Sequence, residues 1–411
     1  DEVRVPREAL LDRYAQVAAD GTYTSAIENP ARRFFTMLGT LVQGRVSVGG
    51  ASIGATKVAL AIAVRRALTR RQFGPPGSDE ELLLLDYRAH QRRLLPALAT
   101  TYALHFAQER LTAQAHDVFS ATGGAGDRSR RELETFAAGL KAVATWHATA
   151  TIQACREACG GAGYLRASRF AALKADTDVF TTFEGDNTVL LQLVAKNLLT
   201  DYRDEFGDLN LVGMARFAAG QALETLAERT AVRGLLRRFA DGLVPGRDDG
   251  ADLLDRSAQL DLLRWRQRHL LAGAARRLKA GIDAGRDPFF VLVDCQDHVA
   301  AAARAWVDLV VLESFAAAVE RCEDPALRSV LDRLCSLHAL HGIEADRGYY
   351  QEHGRLSPTR SKAVIKAVNA LCGDVREHAG LLVEAFGIPE QSLGDAADET
   401  EREPAPAAAV A

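Results

Sequence analysis

The stretch Leu133-Glu134-Thr135-Phe136-Ala137-Ala138-Gly139-Leu140-Lys141-Ala142-Val143-Ala144-Thr145-Trp146-His147 continues unbroken to Ala154, and its apolar pattern decides the fold class. Leu133, Phe136, Leu140, Val143, His147, Ala150 and Ala154 advance by alternating steps of three and four residues. That is the helical period, and one apolar face is what a bundle helix presents to its neighbours. His147 lies on that face. A hydrogen-bonded core histidine is the plainer reading of it, and a metal ligand the other.

Working outward, punctuation divides the chain into further helices. Prolines number 12, none falls between Pro96 and Pro245, and aromatic residues make up 7%. That is helical composition. Helical patterning opens at Asn29-Pro30 and reaches Phe73, where Gly74-Pro75-Pro76-Gly77 stops it. A second helix is expected from Ser78-Asp79-Glu80-Glu81 to about His116, since acidic residues suit a helix N-terminus. The helix containing Leu133 runs out at Gly160-Gly161-Ala162-Gly163, and another follows Gly185-Asp186-Asn187, from Val189 to about Leu199. The charged run Asp201 to Asp208 reads as a connector. Beyond it, Pro245-Gly246, Asp287-Pro288, Asp324-Pro325 and Ser357-Pro358 place prolines at helix starts. The expectation is an all-α chain of two consecutive bundles, over residues 29–205 and 206–398, with a lead-in over 1–28 and a disordered tail over 399–411. Asp1-Glu2-Val3-Arg4-Val5-Pro6 alternates polar and apolar and reads as one short strand. A lone strand is not stable, so its sheet is expected in a preceding part of a longer chain or in a partner polypeptide.

Composition excludes several function classes. The 411 residues carry 50 Lys and Arg against 54 Asp and Glu, so bulk basic charge does not announce a nucleic-acid binder. No run reaches the roughly 20 uncharged apolar residues of a spanning helix, and no membrane is expected. Six cysteines without a CxxC, and no secretory region at the start, argue against a disulfide framework and for a reducing, bacterial cytoplasm. Cys335, His338 and His341 recur at three-residue spacing, but neither they nor Cys155 and Cys159 have the second ligand pair of a tetrahedral zinc site. No metal is expected.

Chemistry concentrates elsewhere. In Thr181-Thr182-Phe183-Glu184-Gly185-Asp186-Asn187-Thr188 a carboxylate precedes a glycine and an Asp/Asn/Thr cluster that looks like an N-cap, with apolar residues on both sides. Glu184 is open to two readings: a general base poised in apolar surroundings, or a first-turn acid complementing the helix dipole. Gly160-Gly161-Ala162-Gly163-Tyr164 is open to a C-cap reading and is not a dinucleotide fingerprint, because no strand precedes it. The basic run Arg65-Arg66 and Arg70-Arg71 stands just before Gln72-Phe73-Gly74-Pro75.

Taken in order and separation, Arg70-Arg71-Gln72-Phe73-Gly74-Pro75, Ala158-Cys159-Gly160-Gly161-Ala162-Gly163-Tyr164 and Thr182-Phe183-Glu184-Gly185-Asp186-Asn187-Thr188 resemble the C-terminal part of acyl-CoA oxidases, flavoproteins of the acyl-CoA dehydrogenase superfamily. The flanks Val3-Arg4-Val5-Pro6-Arg7, Asp20-Gly21-Thr22-Tyr23 and Met37 to Arg45 resemble the end of that family's β-domain and the start of its helical domain. Asp346-Arg347-Gly348-Tyr349 and Leu382 to Pro389 resemble the extra helical domain of the oxidases.

The resemblance implies FAD as cofactor, acyl-CoA and O2 as substrates, and trans-2-enoyl-CoA and hydrogen peroxide as products. Glu184 matches the base that takes the α-proton while the β-hydrogen leaves as hydride to flavin N5. Arg70, Gln72 and Phe73 match positions touching the FAD of a neighbouring subunit, Gly160 and Gly161 a loop approached by that cofactor, and Asp186 and Thr188 flavin-contacting positions beside the base. Arg45 matches a position near the CoA portion of the substrate. Glu157 departs from the Gln that dehydrogenases commonly carry there and looks more like an oxidase. The family's N-terminal helical domain and most of its β-domain lie outside these residues, so the resemblance implies a C-terminal portion or split subunit, working as a homodimer or with a chain that carries the rest. The alternatives are a dehydrogenase that passes electrons to an electron-transfer flavoprotein, and a non-catalytic helical scaffold.

Overall fold

The computed structural model describes residues 2–30, 33, 39, 41–121, 126–207 and 253–393. Apart from a two-stranded hairpin it is helical. The long helices are α1 (Leu41–Thr69), α2 (Arg88–Ser120), α3 (Asp127–Ala158), α5 (Asn187–Gly207), α6 (Arg256–Asp283), α8 (Gln296–Arg321), α9 (Pro325–Ala345) and α11 (Pro358–Glu384). Shorter ones are α4 (Phe170–Asp178), α7 (Pro288–Asp294) and α10 (Arg347–Glu352).

The strand expected at Val3 to Val5 is not formed. Strands occur instead at Gln16–Val17 (β1) and Tyr23–Thr24 (β2), which pair antiparallel. The turn chemistry explains this position: Asp20 Oδ1 accepts the Thr22 N–H at 2.9 Å, and Gly21 takes φ +84°. Residues 3–6 have no such partner segment among the described residues, and an alternating pattern without a ladder stays unpaired.

Two helix limits also differ from expectation. α1 ends at Thr69 rather than Phe73, and the acidic Ser78 to Glu81 starts no helix. The chain doubles back there instead: Gln72 N–H donates to the Leu82 carbonyl at 3.0 Å and Leu82 N–H to the Phe73 carbonyl at 2.7 Å. The charged run from Asp201 is not a connector at its start, because α5 continues through it to Gly207; the boundary placed near 206, Pro245-Gly246 and the tail from 399 lie largely or wholly outside the described residues. The other prolines do open helices. Asp287, Asp324 and Ser357 cap α7, α9 and α11 with their side chains, each followed by proline in the first turn.

The central helix is buried more completely than its stripe implies. α1, α2, α5 and α8 all pack against α3, and residues 135–145 are buried without interruption. α1 has the length and apolar composition of a spanning helix, yet it is largely covered by α2, α3 and α11 and belongs to this core. One apolar cluster runs from α1, α2 and α3 into α6, α8, α9 and α11. Polar ties cross the same ground: Arg92 reaches Glu344 at 2.7 Å, Arg266 bridges Asp308 and Asp346, and the Tyr102 hydroxyl donates to the Leu382 carbonyl at 2.7 Å. The helices before and after residues 208–252 are thus packed together, which fixes the loops at the ends of α1 and α3.

The sequence's metal candidates have other partners. His147 is hydrogen-bonded to Thr101 Oγ1 at 2.9 Å, and desolvation pushes its pKa down to about 3. His338 meets Thr100 Oγ1 at 3.2 Å and is pushed down to about 4 by the same cause. Among the described residues no group of three or more His, Cys, Asp and Glu is placed to hold a metal.

Candidate functional site

Glu184 sits in a strained turn between α4 and α5. Its φ is +59°, a left-handed conformation that costs a non-glycine residue of order 1 kcal/mol or more and is often kept where function requires it. Gly185 follows at φ +111°, and a Cβ there would lie 2.9 Å from Leu190 Cδ2. Only glycine fits. Asp186 then caps α5, its Oδ1 accepting the N–H groups of Thr188 at 2.9 Å and Val189 at 3.2 Å. The cap reading therefore belongs to Asp186, and Glu184 lies outside the first turn. Thr188 is exposed beside it.

The Glu184 carboxyl rests on bare backbone of α1. A Cβ added to Gly44 would stand 2.6 Å from each carboxyl oxygen. Oε2 is buried and has no hydrogen-bond partner among the described residues, a costly state for a polar atom unless something else comes to meet it. Arg45, the next residue on α1, donates from Nε to the Glu184 carbonyl at 3.3 Å and lies 3.9 Å from Glu134. Burial lowers the Arg45 pKa, while Glu134 and Glu184 oppose that shift. Arg45 is thus turned inward, holding the backbone of the turn.

Beneath the turn is a residue that the sequence reading passed over. Lys141 of α3 is fully buried, and its Nζ donates to the Gly185 carbonyl at 2.6 Å and to Asn187 Oδ1 at 3.0 Å. Asn187 is also buried and bonds Thr145 Oγ1 at 2.9 Å. The available signal was a single charge inside Ala138-Gly139-Leu140-Lys141-Ala142-Val143 on a core helix, where lysine is almost never buried without partners.

The remaining candidates gather at the opposite ends of the same helices. After α1, Arg70 N–H still bonds the Arg66 carbonyl, and the chain then turns at Gln72-Phe73. The Tyr87 hydroxyl donates to both carbonyls of that turn, Gln72 at 2.7 Å and Phe73 at 3.1 Å. Phe73 has φ +57° and is 69% exposed, so a strained backbone presents an aromatic ring to solvent. No carboxylate among the described residues pairs with Arg70. After α3, Gly160 takes φ +59°, and the space beside both Gly160 and Gly161 is open. Tyr164 is 74% exposed with Arg156 stacked 4.4 Å from its ring centre, and Glu157 accepts from Gln153 at 2.7 Å.

α1 and α3 run parallel, because Arg45 meets Glu134, Gly49 meets Lys141 and Arg66 is near enough to Cys159 to oppose the rise in its pKa. Gly44 and Arg70 are separated by the length of α1, about 39 Å at 1.5 Å per residue. One chain therefore brings together Glu184, Asp186, Thr188 and Arg45 at one end, and Arg70, Gln72, Phe73, Gly160 and Gly161 at the other.

Comparison with known proteins identifies the family. Residues 38–199 match the family model described as acyl-CoA oxidase, C-alpha1 domain, and residues 255–396 match the acyl-CoA oxidase model. The chain is 36% identical to peroxisomal acyl-coenzyme A oxidase 2 of Arabidopsis thaliana, over 94% of this chain and 54% of that protein. It is 35% identical to peroxisomal acyl-coenzyme A oxidase 3 of Homo sapiens, over 95% and 55%. The solved Arabidopsis acyl-CoA oxidase 1 superposes with a TM-score of 0.81 at 26% identity, covering 97% of this chain and 57% of that one. Acyl-CoA oxidase-2 of Caenorhabditis elegans, solved bound with FAD, ascaroside-CoA and ATP, shares the fold at a TM-score of 0.79 and 23% identity, covering 97% and 55%. The chain thus spans just over half the length of these relatives. The expected bacterial cytoplasm is overturned by the same comparison: these curated relatives are plant and animal proteins named as peroxisomal. Free cysteines alone do not assign a compartment.

Proposed function

Because the chain belongs to the acyl-CoA oxidase family, we propose that it forms the two C-terminal helical domains, 29–205 and 206–398, of an enzyme that converts a fatty acyl-CoA and O2 into trans-2-enoyl-CoA and hydrogen peroxide. One observation carries the reading: Glu184 is held in a left-handed turn with a buried carboxyl oxygen that has no partner among the described residues. A carboxylate so placed is available to a proton that arrives with a ligand. The acyl-CoA thioester brings one, acidified at Cα by its carbonyl, and Glu184 accepts it. Arg45 fixes the backbone of the base from below, on the side of the site assigned to the CoA portion of the substrate.

FAD, when bound, supplies the acceptor for the β-hydride and passes the electron pair to O2. The residues fit such a group. Arg70, without a carboxylate partner among the described residues, suits a pyrophosphate, exposed Phe73 suits a ring, and the open backbone at Gly160 and Gly161 admits close approach. Asp186 and Thr188 flank the base at the other end. A span of about 39 Å is too great for these two sets to serve one cofactor within one chain. They serve it across a homodimer, with Arg70, Gln72 and Phe73 of one copy completing the site that holds Glu184 of the other.

The test uses the complete, FAD-loaded enzyme and a saturated acyl-CoA. In air, one hydrogen peroxide and one enoyl-CoA are expected per O2 consumed. Flavin that bleaches but stays reduced in air until an electron-transfer flavoprotein is added would make the enzyme a dehydrogenase, and flavin that never bleaches would leave a scaffold.

A further inference from the structure

Lys141 carries a charge inside the helical core. It is fully buried, at a position where α1, α2, α5 and α8 surround α3. An isolated ammonium in that setting costs several kcal/mol, so a retained one has a use that its partners reveal. Both hydrogen-bond partners belong to the turn that bears Glu184: the Gly185 carbonyl at 2.6 Å and Asn187 Oδ1 at 3.0 Å. Asn187 is fixed in turn, its amide donating to the Ala142 carbonyl at 3.2 Å and to Thr145 at 2.9 Å. The segment is thus bolted to α3 immediately after its two left-handed residues, Glu184 and Gly185.

The charges around the ammonium have a pattern of their own. Arg45 approaches from α1, paired with Glu134 of α3, while Glu184 and Asp186 face it from the turn. Arg45 holds the carbonyl of Glu184, and Lys141 holds the carbonyl of the next residue. Two cations therefore grip consecutive peptide groups, and among the described residues the carboxylate itself has no direct partner at Oε2.

We infer that Lys141 is the positioning residue of the reaction site: anchored on α3, it holds the Glu184-Gly185 turn in register and sets a fixed positive charge behind the carboxylate. This rests on Glu184 being the base. Desolvation brings the Lys141 pKa down to about 8, with Asp186 and Glu184 opposing the fall and Arg45 adding to it, so the ammonium is the form that the two acids favour.

The test measures anaerobic flavin reduction by a saturated acyl-CoA across pH 6 to 9 in the complete holoenzyme. Lys141→Met removes charge and hydrogen bonds together at similar volume; Lys141→Gln keeps a donor for the Gly185 carbonyl without the charge. Both are expected to reduce flavin at least about tenfold more slowly, with the acid limb of the profile moved about one pH unit upward. If Lys141→Met does not fold, Lys141→Gln carries the measurement. Parent-like rates and profiles overturn the inference, and so does a lower melting temperature with an unmoved profile, which would make Lys141 structural only. Glu184→Gln is measured alongside. If it reduces flavin at the parent rate, the base assignment itself fails; if it does not, and the Lys141 variants match the parent, only the role of Lys141 fails.

Discussion

Glu184→Gln in the complete enzyme is expected to abolish flavin reduction while leaving the fold and FAD content intact. The amide is nearly isosteric, so it fills the same space over Gly44, and the backbone contact from Arg45 and the Asp186 cap do not involve the side chain that changes. What it loses is the ability to accept a proton. Removing a positioned general base costs roughly 10²- to 10⁴-fold. The effect lies at the upper end or beyond here, because the β-hydride does not depart from a substrate whose α-proton stays in place. Bleaching of the visible flavin absorbance after anaerobic mixing with a saturated acyl-CoA gives the rate. A variant that bleaches as fast as the parent would demote Glu184 to a strained loop acid and send the search for the base outside these residues.

Gly44→Ala is expected to separate stability from activity. Within a helix, alanine is favoured over glycine by about 1 kcal/mol, so the melting temperature should hold or rise slightly. The new methyl, however, would occupy the place of the Glu184 carboxyl, 2.6 Å from each oxygen. The clash falls on the far end of a flexible side chain, so Glu184 swings away and the bundle stays packed. Displacing a reacting group by about 1 Å costs on the order of 100-fold, and that is the loss expected in flavin reduction. Retained activity would mean that the carboxyl works from a position other than the one seen here.

Much of this was legible from residues alone. The three- and four-residue steps from Leu133 to Ala154 announce a bundle, and the Asp-Pro and Ser-Pro pairs mark the starts of α7, α9 and α11 because cap chemistry is local. Glu184 stood out for its neighbours Gly185 and Asp186. What the sequence withheld depends on contacts between distant segments. Gly44 and Glu184 are 140 residues apart, and nothing in the surroundings of Gly44 marks it as the floor of a carboxylate. Lys141 shared its helix with the apolar stripe but faced the turn that carries Glu184. The strand misplaced at Val3 to Val5 has the same origin: alternation is a local pattern, whereas a ladder needs a second segment, which the Asp20-Gly21 turn supplies only to Gln16–Val17 and Tyr23–Thr24.

The central claim is that one reaction site is assembled from opposite ends of two copies, and a mixed dimer tests it most directly. One copy of the complete protein carries Glu184→Gln with its Arg70 to Phe73 turn intact. The other carries Arg70→Ala and Phe73→Ala with Glu184 intact, and different affinity tags on the two allow the mixed species to be isolated. Each variant alone is expected to be inactive. In the mixed dimer one site unites the intact Glu184 of one copy with the intact turn of the other, so about half the parent turnover per dimer should return, with one FAD held and bleached by acyl-CoA. If both sets of residues served a cofactor within their own chain, every site in the mixed dimer would carry a defect, and a species as inactive as its parents would contradict the account.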